Sequence, residues 1–212
     1  MTGRNIVVWS GGADSTLVLN DYAGVSSEDY PVVALSVAGH RFLGSEFLKA
    51  QGKAQAEYLK LAKKRGYHIR HEKILFSGNY DWGVKKNCRD DGAPSAQSVM
   101  WLSAVMNVVG EGDKVHFGYI KGDCFWHYRE QFEAAFGALC ALKGVKAKLN
   151  YRLEWERKGD VLRRLKGAKI PQRCWFSCEY TKNGKPCGSC AKCDEIKMAK
   201  LDWRFKSSKR PE

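Results

Sequence analysis

Two stretches of this chain carry residue types that chemistry needs at spacings that chemistry can use. The first is residues 10–15, Ser-Gly-Gly-Ala-Asp-Ser, which follow the β-branched run Ile-Val-Val-Trp and precede a helical apolar pattern. Adjacent glycines cost conformational order and pack nothing. At the end of a strand, however, Gly11 and Gly12 let the backbone approach a ligand with no Cβ in the way. A helix beginning there presents unpaired N–H groups and a partial positive charge. The hydroxyls of Ser10, Ser15 and Thr16 add hydrogen-bonding groups, so the stretch reads as a phosphate cradle built mostly from backbone. Asp14 would repel a bare phosphate. It fits if a divalent cation such as magnesium neutralises a polyphosphate at that point. The plainer alternative is a helix capped by Asp14 or Ser10, but a cap alone needs neither the second glycine nor the second hydroxyl. No G-x-x-x-x-G-K-S/T and no G-x-G-x-x-G occurs, which excludes the two commonest phosphate motifs.

The second stretch holds Cys178, Cys187, Cys190 and Cys193 in the spacing C-x8-C-x2-C-x2-C. Overlapping C-x-x-C pairs plus one distant cysteine supply four thiolates for a closed tetrahedral zinc site. An iron–sulfur cluster is the main competitor, because thiolates suit both. Four protein ligands leave no open position, which favours a structural role. A redox C-x-x-C pair or plain buried cysteines are the bland readings. Cys174 lies four residues before Cys178 and could substitute as a ligand, whereas Cys88, Cys124 and Cys140 are isolated and read as small core residues.

Positioning these groups requires a scaffold, and the apolar pattern supplies one. Strands are expected at residues 6–9, 32–37, 67–75, 115–119 and 145–151, and helices at 15–22, 45–65, 95–109, 128–142 and 159–168. This alternation predicts an α/β fold, a doubly wound and mainly parallel sheet with helices on both faces. Such folds bind ligands beyond the carboxyl ends of their strands, where residues 10–15 would sit. After Arg173 the cysteines crowd together and apolar periodicity stops until about Ile196. The expected division is therefore an α/β ATP-binding domain over residues 1–173, then a four-cysteine zinc module and basic tail over 174–212.

Composition sets the outer limits. The 212 residues are 44% hydrophobic, which suits a folded globular chain rather than a disordered one. The formal net charge of +13 draws anions, either nucleotide phosphates or nucleic acid. A solvated basic surface and a dedicated nucleic-acid face are both open readings, and no RNA-recognition aromatic motif favours the second. No apolar run reaches the ~18 residues of a membrane span. The first residues lack the pattern of a secretory signal, so the cytoplasm is the expected location and the cysteines are read as thiols or ligands.

The stretch SGGADS resembles the SGGxDS pyrophosphate loop of the ATP pyrophosphatase, or PP-loop, superfamily, whose fold is adenine nucleotide alpha hydrolase-like. Members split ATP between its α- and β-phosphates and adenylate a substrate oxygen. The resemblance implies that Ser10, Gly11, Gly12, Asp14 and Ser15 hold pyrophosphate and its magnesium, with adenine near Ser36 and Val37. Together with WFSC and CGSCAKC near the C-terminus, it is similar to the 7-cyano-7-deazaguanine synthase (QueC) family of queuosine biosynthesis. GYIKGDCFWHYREQFEAAF and ERKGDVLRRL are similar to that family's central segments. The chain departs from the family at SVAGHRFLGSE, where the family has Tyr-Gly-Gln-basic-His, and at GAPSAQS, where it has Pro-x-Arg-Asn.

The resemblance implies a ligase that converts 7-carboxy-7-deazaguanine and ammonia to the nitrile with ATP, by carboxylate adenylation, amide formation and dehydration. It implies Lys121, Arg129 and Lys158 as cations near the phosphates or the carboxylate. Asp123 would hold the deazaguanine edge or ammonia, and His127 would be a proton shuttle. It also implies a homodimer. Ordinary solvated charges are the bland alternative for Arg129 and Lys158, and a surface histidine for His127. Three other readings stay open: a similar enzyme using a different deazapurine or acceptor, a PP-loop enzyme that modifies tRNA directly, and a non-enzymatic zinc-ribbon binding protein.

Overall fold

The computed structural model describes residues 3–39, 45–76, 96–178 and 181–207. Five strands, β1 (Asn5–Val8), β2 (Val32–Gly39), β3 (Ile69–Phe76), β4 (Lys114–His116) and β5 (Lys148–Asn150), form one sheet in the order β3-β2-β1-β4-β5. Every neighbouring pair in it is parallel. The helices between them are α1 (Ala13–Ala23), α2 (Ser45–Lys64), α3 (Ala96–Val108) and α4 (Arg129–Lys143), and α5 (Lys158–Gly167) follows β5.

A parallel sheet with crossover helices is buried on both faces, so its central strands are apolar throughout. Alternation along β1 sends its side chains to opposite sides. Val7, with Trp9 just beyond the strand, packs with Leu17 of α1, Tyr58 of α2 and Leu165 of α5. Ile6 and Val8 pack with Val105 of α3 and Phe132 of α4. The sheet is thus doubly wound, as expected. The strand order reverses between β1 and β4, and a crevice at that switch point is where such sheets take ligands. The loop after β1, residues 9–12, emerges there.

The pattern of apolar residues overestimates two strands. β4 ends at His116 and β5 at Asn150, because Phe117 and Tyr151 continue the buried run without continuing the ladder. An apolar run reports burial, not backbone pairing. Beyond residue 170, Cys174 and Trp175 pack into the core beside Trp9 and Leu17. Cys174 is therefore a core residue and lies outside the four-cysteine group. Cys140 is buried as expected, but Cys124 is exposed, because it opens a short 3-10 turn (Cys124–His127) that turns inward only Phe125. Cys88, residues 40 and 41 and most of GAPSAQS lie outside the described residues. A helix that the sequence pattern did not announce, α6 (Ala191–Ser207), begins inside the cysteine cluster. Among the described residues, no helix is long and apolar enough to cross a membrane.

One buried group makes the fold acid-sensitive. His116 is 1% exposed at the end of β4, with Nε2 3.0 Å from Asn5 Oδ1 and its ring 3.9 Å from that of Tyr22. Burial, reinforced by Lys114 and Arg152, pulls its pKa down to about 4. The unfolded chain holds that proton more tightly, so this contribution is complete above pH ~6.5 and falls away as pH drops toward 4. Denaturation titrations at pH 7.5 and 4.5 should show a loss of order 3 kcal/mol from this group. His116→Gln should flatten that part of the profile, and an unchanged pH dependence would remove His116 as its cause.

Candidate functional site

The backbone of residues 10–13 sets the site. Gly11 has φ +78, a left-handed conformation that disfavours a side chain, and a Cβ there would lie 3.0 Å from Gln55 Cγ and 3.1 Å from Gln51 Cγ. Gln51 and Gln55 of α2 thus form one wall, and the Gln55 amide donates to the Trp9 carbonyl at 3.3 Å. Helix α1 begins at Ala13, and Gly12 is its N-cap with no side-chain cap. The capped-helix alternative for Asp14 or Ser10 is therefore not what the chain adopts.

Hydroxyls fill the remaining positions. Gly12 N–H donates to Ser10 Oγ at 3.2 Å, and Ser10 Oγ lies 3.0 Å from Ser15 Oγ. Thr16 is placed differently. It is fully buried, and its Oγ1 accepts the Trp9 indole N–H at 3.0 Å, so this hydroxyl belongs to the core beneath the loop. Gly118, just past β4, closes the opposite side. A Cβ on it would lie 2.8 Å from the Ser15 backbone nitrogen and 3.0 Å from the Asp14 carbonyl carbon. Backbone there cannot yield cheaply, so Gly118→Ala should push β4 away from α1. Overpacking of this kind costs about 1–3 kcal/mol. Thermal denaturation and ATP titration of that variant should both show a loss, and unchanged values for both would mean that the close approach is unimportant.

Asp14 is bound on one side only. Its Oδ2 accepts from Lys158 Nζ at 2.5 Å, while its buried Oδ1 has no hydrogen-bond partner among the described residues. A buried carboxylate oxygen without a partner is costly and calls for a donor or a cation. The donor set here, one carboxylate with Ser10 and Ser15 hydroxyls nearby, fits a magnesium-bound polyphosphate. Lys158 is 5% exposed at the first turn of α5, where the helix dipole disfavours a cation. Asp14 compensates it, and Glu195 Oε2 of α6 lies 3.8 Å from the same Nζ. The chain of charges continues through Lys192, which is 3.6 Å from Glu195 and 3.8 Å from Asp123. Burial raises the Asp123 carboxyl above the ordinary range, and its Oδ2 accepts the Ile120 N–H at 2.8 Å. Asp14, Lys158 and Asp123 are thus brought into one network.

The other expected residues stand apart from it. Arg129 pairs with Glu133 at 2.7 Å and Glu154 at 3.3 Å, and its guanidinium lies 5.0 Å from the Tyr151 ring centroid. Lys121 is exposed, and its backbone N–H donates to the Glu156 carbonyl. Neither is hydrogen-bonded or ion-paired to the cradle. His127 is exposed. Ser36 is buried and hydrogen-bonded to the His71 ring, and Val37 packs among Trp101 and Val105, so neither side chain opens onto the strand end.

Cys178, Cys187, Cys190 and Cys193 come together, with all four sulfurs within 4.8 Å of one another. The eight-residue spacer is accounted for by a hairpin of β6 (Thr181–Lys182) and β7 (Lys185–Pro186). Asn183 and Gly184 turn it at φ 53 and 69, the left-handed pair that a tight two-residue turn demands. Cys190 and Cys193 flank the start of α6. The Ser189 N–H points at Cys187 Sγ from 3.5 Å, and such backbone donors draw that thiol down to about 6. Cys187 thus has the thiolate character a metal ligand needs, whereas burial pushes the Cys193 thiol up.

Sequence reasoning missed Gly118, Ser177, Lys192 and Glu195. Phe176 N–H donates to the Gly11 carbonyl at 2.8 Å, and Ala13 N–H to Ser177 Oγ at 2.9 Å. The residues just before Cys178 therefore touch the cradle directly. The only available signal was the tetrapeptide WFSC, which had pointed to its cysteine alone.

No protein-family model and no curated protein matches this sequence. Among solved structures, the chain is similar to the U34-tRNA thiolase NcsA from Methanococcus maripaludis, determined with its 4Fe-4S cluster. The TM-score is 0.52 at 14% identity, over 98% of this chain and 68% of that one. The likeness is one of fold: the chain has the α/β fold of the PP-loop proteins, with a cysteine group that could bind metal near its C-terminus.

Proposed function

We propose that this protein is an ATP-dependent carbon–nitrogen ligase that adenylates the carboxylate of a 7-deazapurine and passes it to ammonia, giving 7-cyano-7-deazaguanine from 7-carboxy-7-deazaguanine. The observation that carries ATP use is Asp14, set in a double-glycine loop at the switch point of a PP-loop fold with one buried oxygen unpartnered, and the deazapurine substrate rests on the resemblance of WFSC and CGSCAKC. A carboxylate is a poor electrophile, because oxide would have to leave. Attack of its oxygen on the α-phosphorus expels pyrophosphate and makes AMP the leaving group. Ammonia then displaces AMP to give the amide. A second ATP activates the amide oxygen, which departs as AMP with loss of the remaining amide protons, leaving the nitrile.

The chain's part is to bind and orient. Ser10, Gly11, Gly12 and Ser15 would hold the pyrophosphate portion, and Asp14 its magnesium. Magnesium would supply neutralisation of the polyphosphate charge. Lys158, fixed beside Asp14, is the buried cation nearest that charge. Asp123, whose carboxyl burial raises above the ordinary range, is suited to bond the deazaguanine edge or ammonia. Lys121 and Arg129 would be recruited from the rim, and adenine would lie against the β2 backbone near Ser36 and Val37. A homodimer in the cytoplasm is the assembly and location this reading takes.

For the cysteine group we propose structural zinc. Four thiolates at zinc bond lengths of ~2.3 Å stand about 3.8 Å apart at the corners of a tetrahedron. Cys178 and Cys190 sulfurs are 3.9 Å apart, which supports a single ion. A cluster would place several irons between the thiolates and spread them further.

Direct modification of tRNA is the second reading. It is favoured by the fold likeness to a tRNA thiolase and by the net charge of +13. Mixing the protein with ATP and magnesium, then adding either 7-carboxy-7-deazaguanine with ammonium or tRNA, separates the two. AMP release with the carboxylate supports the first reading, and release with tRNA alone supports the second.

A further inference from the structure

We propose that Ser177 is the third hydroxyl of the pyrophosphate cradle, delivered and held in place by the cysteine centre. The inference rests on the reading that residues 10–15 bind the pyrophosphate portion of ATP. It adds a group that lies 164 positions away from that loop in sequence.

Ser177 Oγ accepts the Ala13 N–H, the first amide of α1, at 2.9 Å. As an acceptor the oxygen is satisfied, but its own proton is directed to no group among the described residues. The helix N-terminus polarises that O–H and makes it a stronger donor. The space around Gly12 shows where the proton can go. A Cβ on Gly12 would lie 3.2 Å from Ser10 Oγ and 3.5 Å from Ser177 Oγ. The two hydroxyls therefore flank a gap that only glycine leaves open, and Ser15 Oγ lies 3.0 Å from Ser10 Oγ. Three hydroxyls border the bare backbone of Gly12, an arrangement suited to an anion with several oxygens.

Ser177 keeps this position through its neighbours on both sides. Phe176 donates its N–H to the Gly11 carbonyl at 2.8 Å. Cys178 is buried in the thiol group, where its Sγ accepts the Cys187 N–H at 3.2 Å and lies 3.9 Å from Cys190 Sγ. A metal bound by these thiols fixes Cys178, and through one peptide unit it fixes Ser177. Ligand and metal are then coupled, and the coupling is reciprocal: metal tightens nucleotide, and nucleotide tightens metal.

The test uses the full-length, metal-loaded chain and magnesium α,β-methylene-ATP, which cannot be cleaved at the scissile position. Wild type should bind it, and Ser177→Ala should bind about tenfold more weakly, the usual scale for losing one hydrogen bond to a charged group. Metal content should be unchanged in that variant and its melting temperature only slightly lower, because the Ala13 N–H loses its acceptor, and Ser177→Thr, which keeps the hydroxyl, should recover most of the affinity. In wild type, saturating nucleotide should slow metal release to a chromogenic chelator, and in Ser177→Ala it should not. Equal or tighter binding by Ser177→Ala, with Asp14→Asn defective, would overturn the proposal and make Ser177 a cap or a plug. Absence of binding by wild type would bring down the cradle reading, and this proposal with it.

Discussion

Asp14→Asn is expected to lower AMP and pyrophosphate release by at least ~10²-fold while leaving the fold intact, since removing one preorganised charge from a site of this kind commonly costs that much. Asparagine is the informative choice because of Lys158. The ammonium is nearly fully buried, with Asp14 at 2.5 Å and Glu195 at 3.8 Å. Alanine at position 14 would strand it, and breaking a buried pair costs about 3–5 kcal/mol. The amide oxygen of asparagine still accepts from Lys158, so circular dichroism and melting temperature should stay close to wild type. Full turnover in that variant would show that Asp14 serves Lys158 and no cation.

Cys190→Ser should produce the largest stability loss and should also depress turnover. The four thiols, a two-residue-stranded hairpin and the start of α6 make a very small apolar group of their own. A hairpin of that size is not stable by itself, so metal binding energy there is folding energy. Elemental analysis should find about one zinc per wild-type chain and less in the variant. A lower melting temperature should accompany the loss, and a chelator should reproduce it. Turnover falls too because Ser177 and Glu195 belong to this region and reach the cradle. An iron signal with visible absorbance would replace zinc by a cluster, and a stable, metal-free, fully active protein would remove the centre's role.

Much of this site was legible because its chemistry is local. Residues 10–15 and the C-x-x-C pairs declare themselves by spacing alone, and β1 and α1 around the first are strongly apolar. Lys158 was recognisable only by its resemblance to a family segment, and nothing nearby in sequence announces that Asp14 is its partner. Ser177, Gly118, Lys192 and Glu195 were invisible for one physical reason: each acts across the fold, where residue type and periodicity carry no signal. Thr16 shows the opposite error. It continues the hydroxyl pattern of the loop, but one step beyond Ser15 along α1 turns its side chain toward the Trp9 indole. The start of α6 was hidden because the buried position of its first two turns is a cysteine, Cys193, and β4 was overlong because Phe117 and Tyr119 remain among apolar neighbours after the ladder ends.

The most direct measurement is product analysis by mass spectrometry after incubating the protein with ATP, magnesium, ammonium and 7-carboxy-7-deazaguanine. The account predicts AMP and pyrophosphate only when the carboxylate is present, with the amide appearing first and the nitrile accumulating. An inert carboxylate, together with AMP release triggered by tRNA, would contradict it.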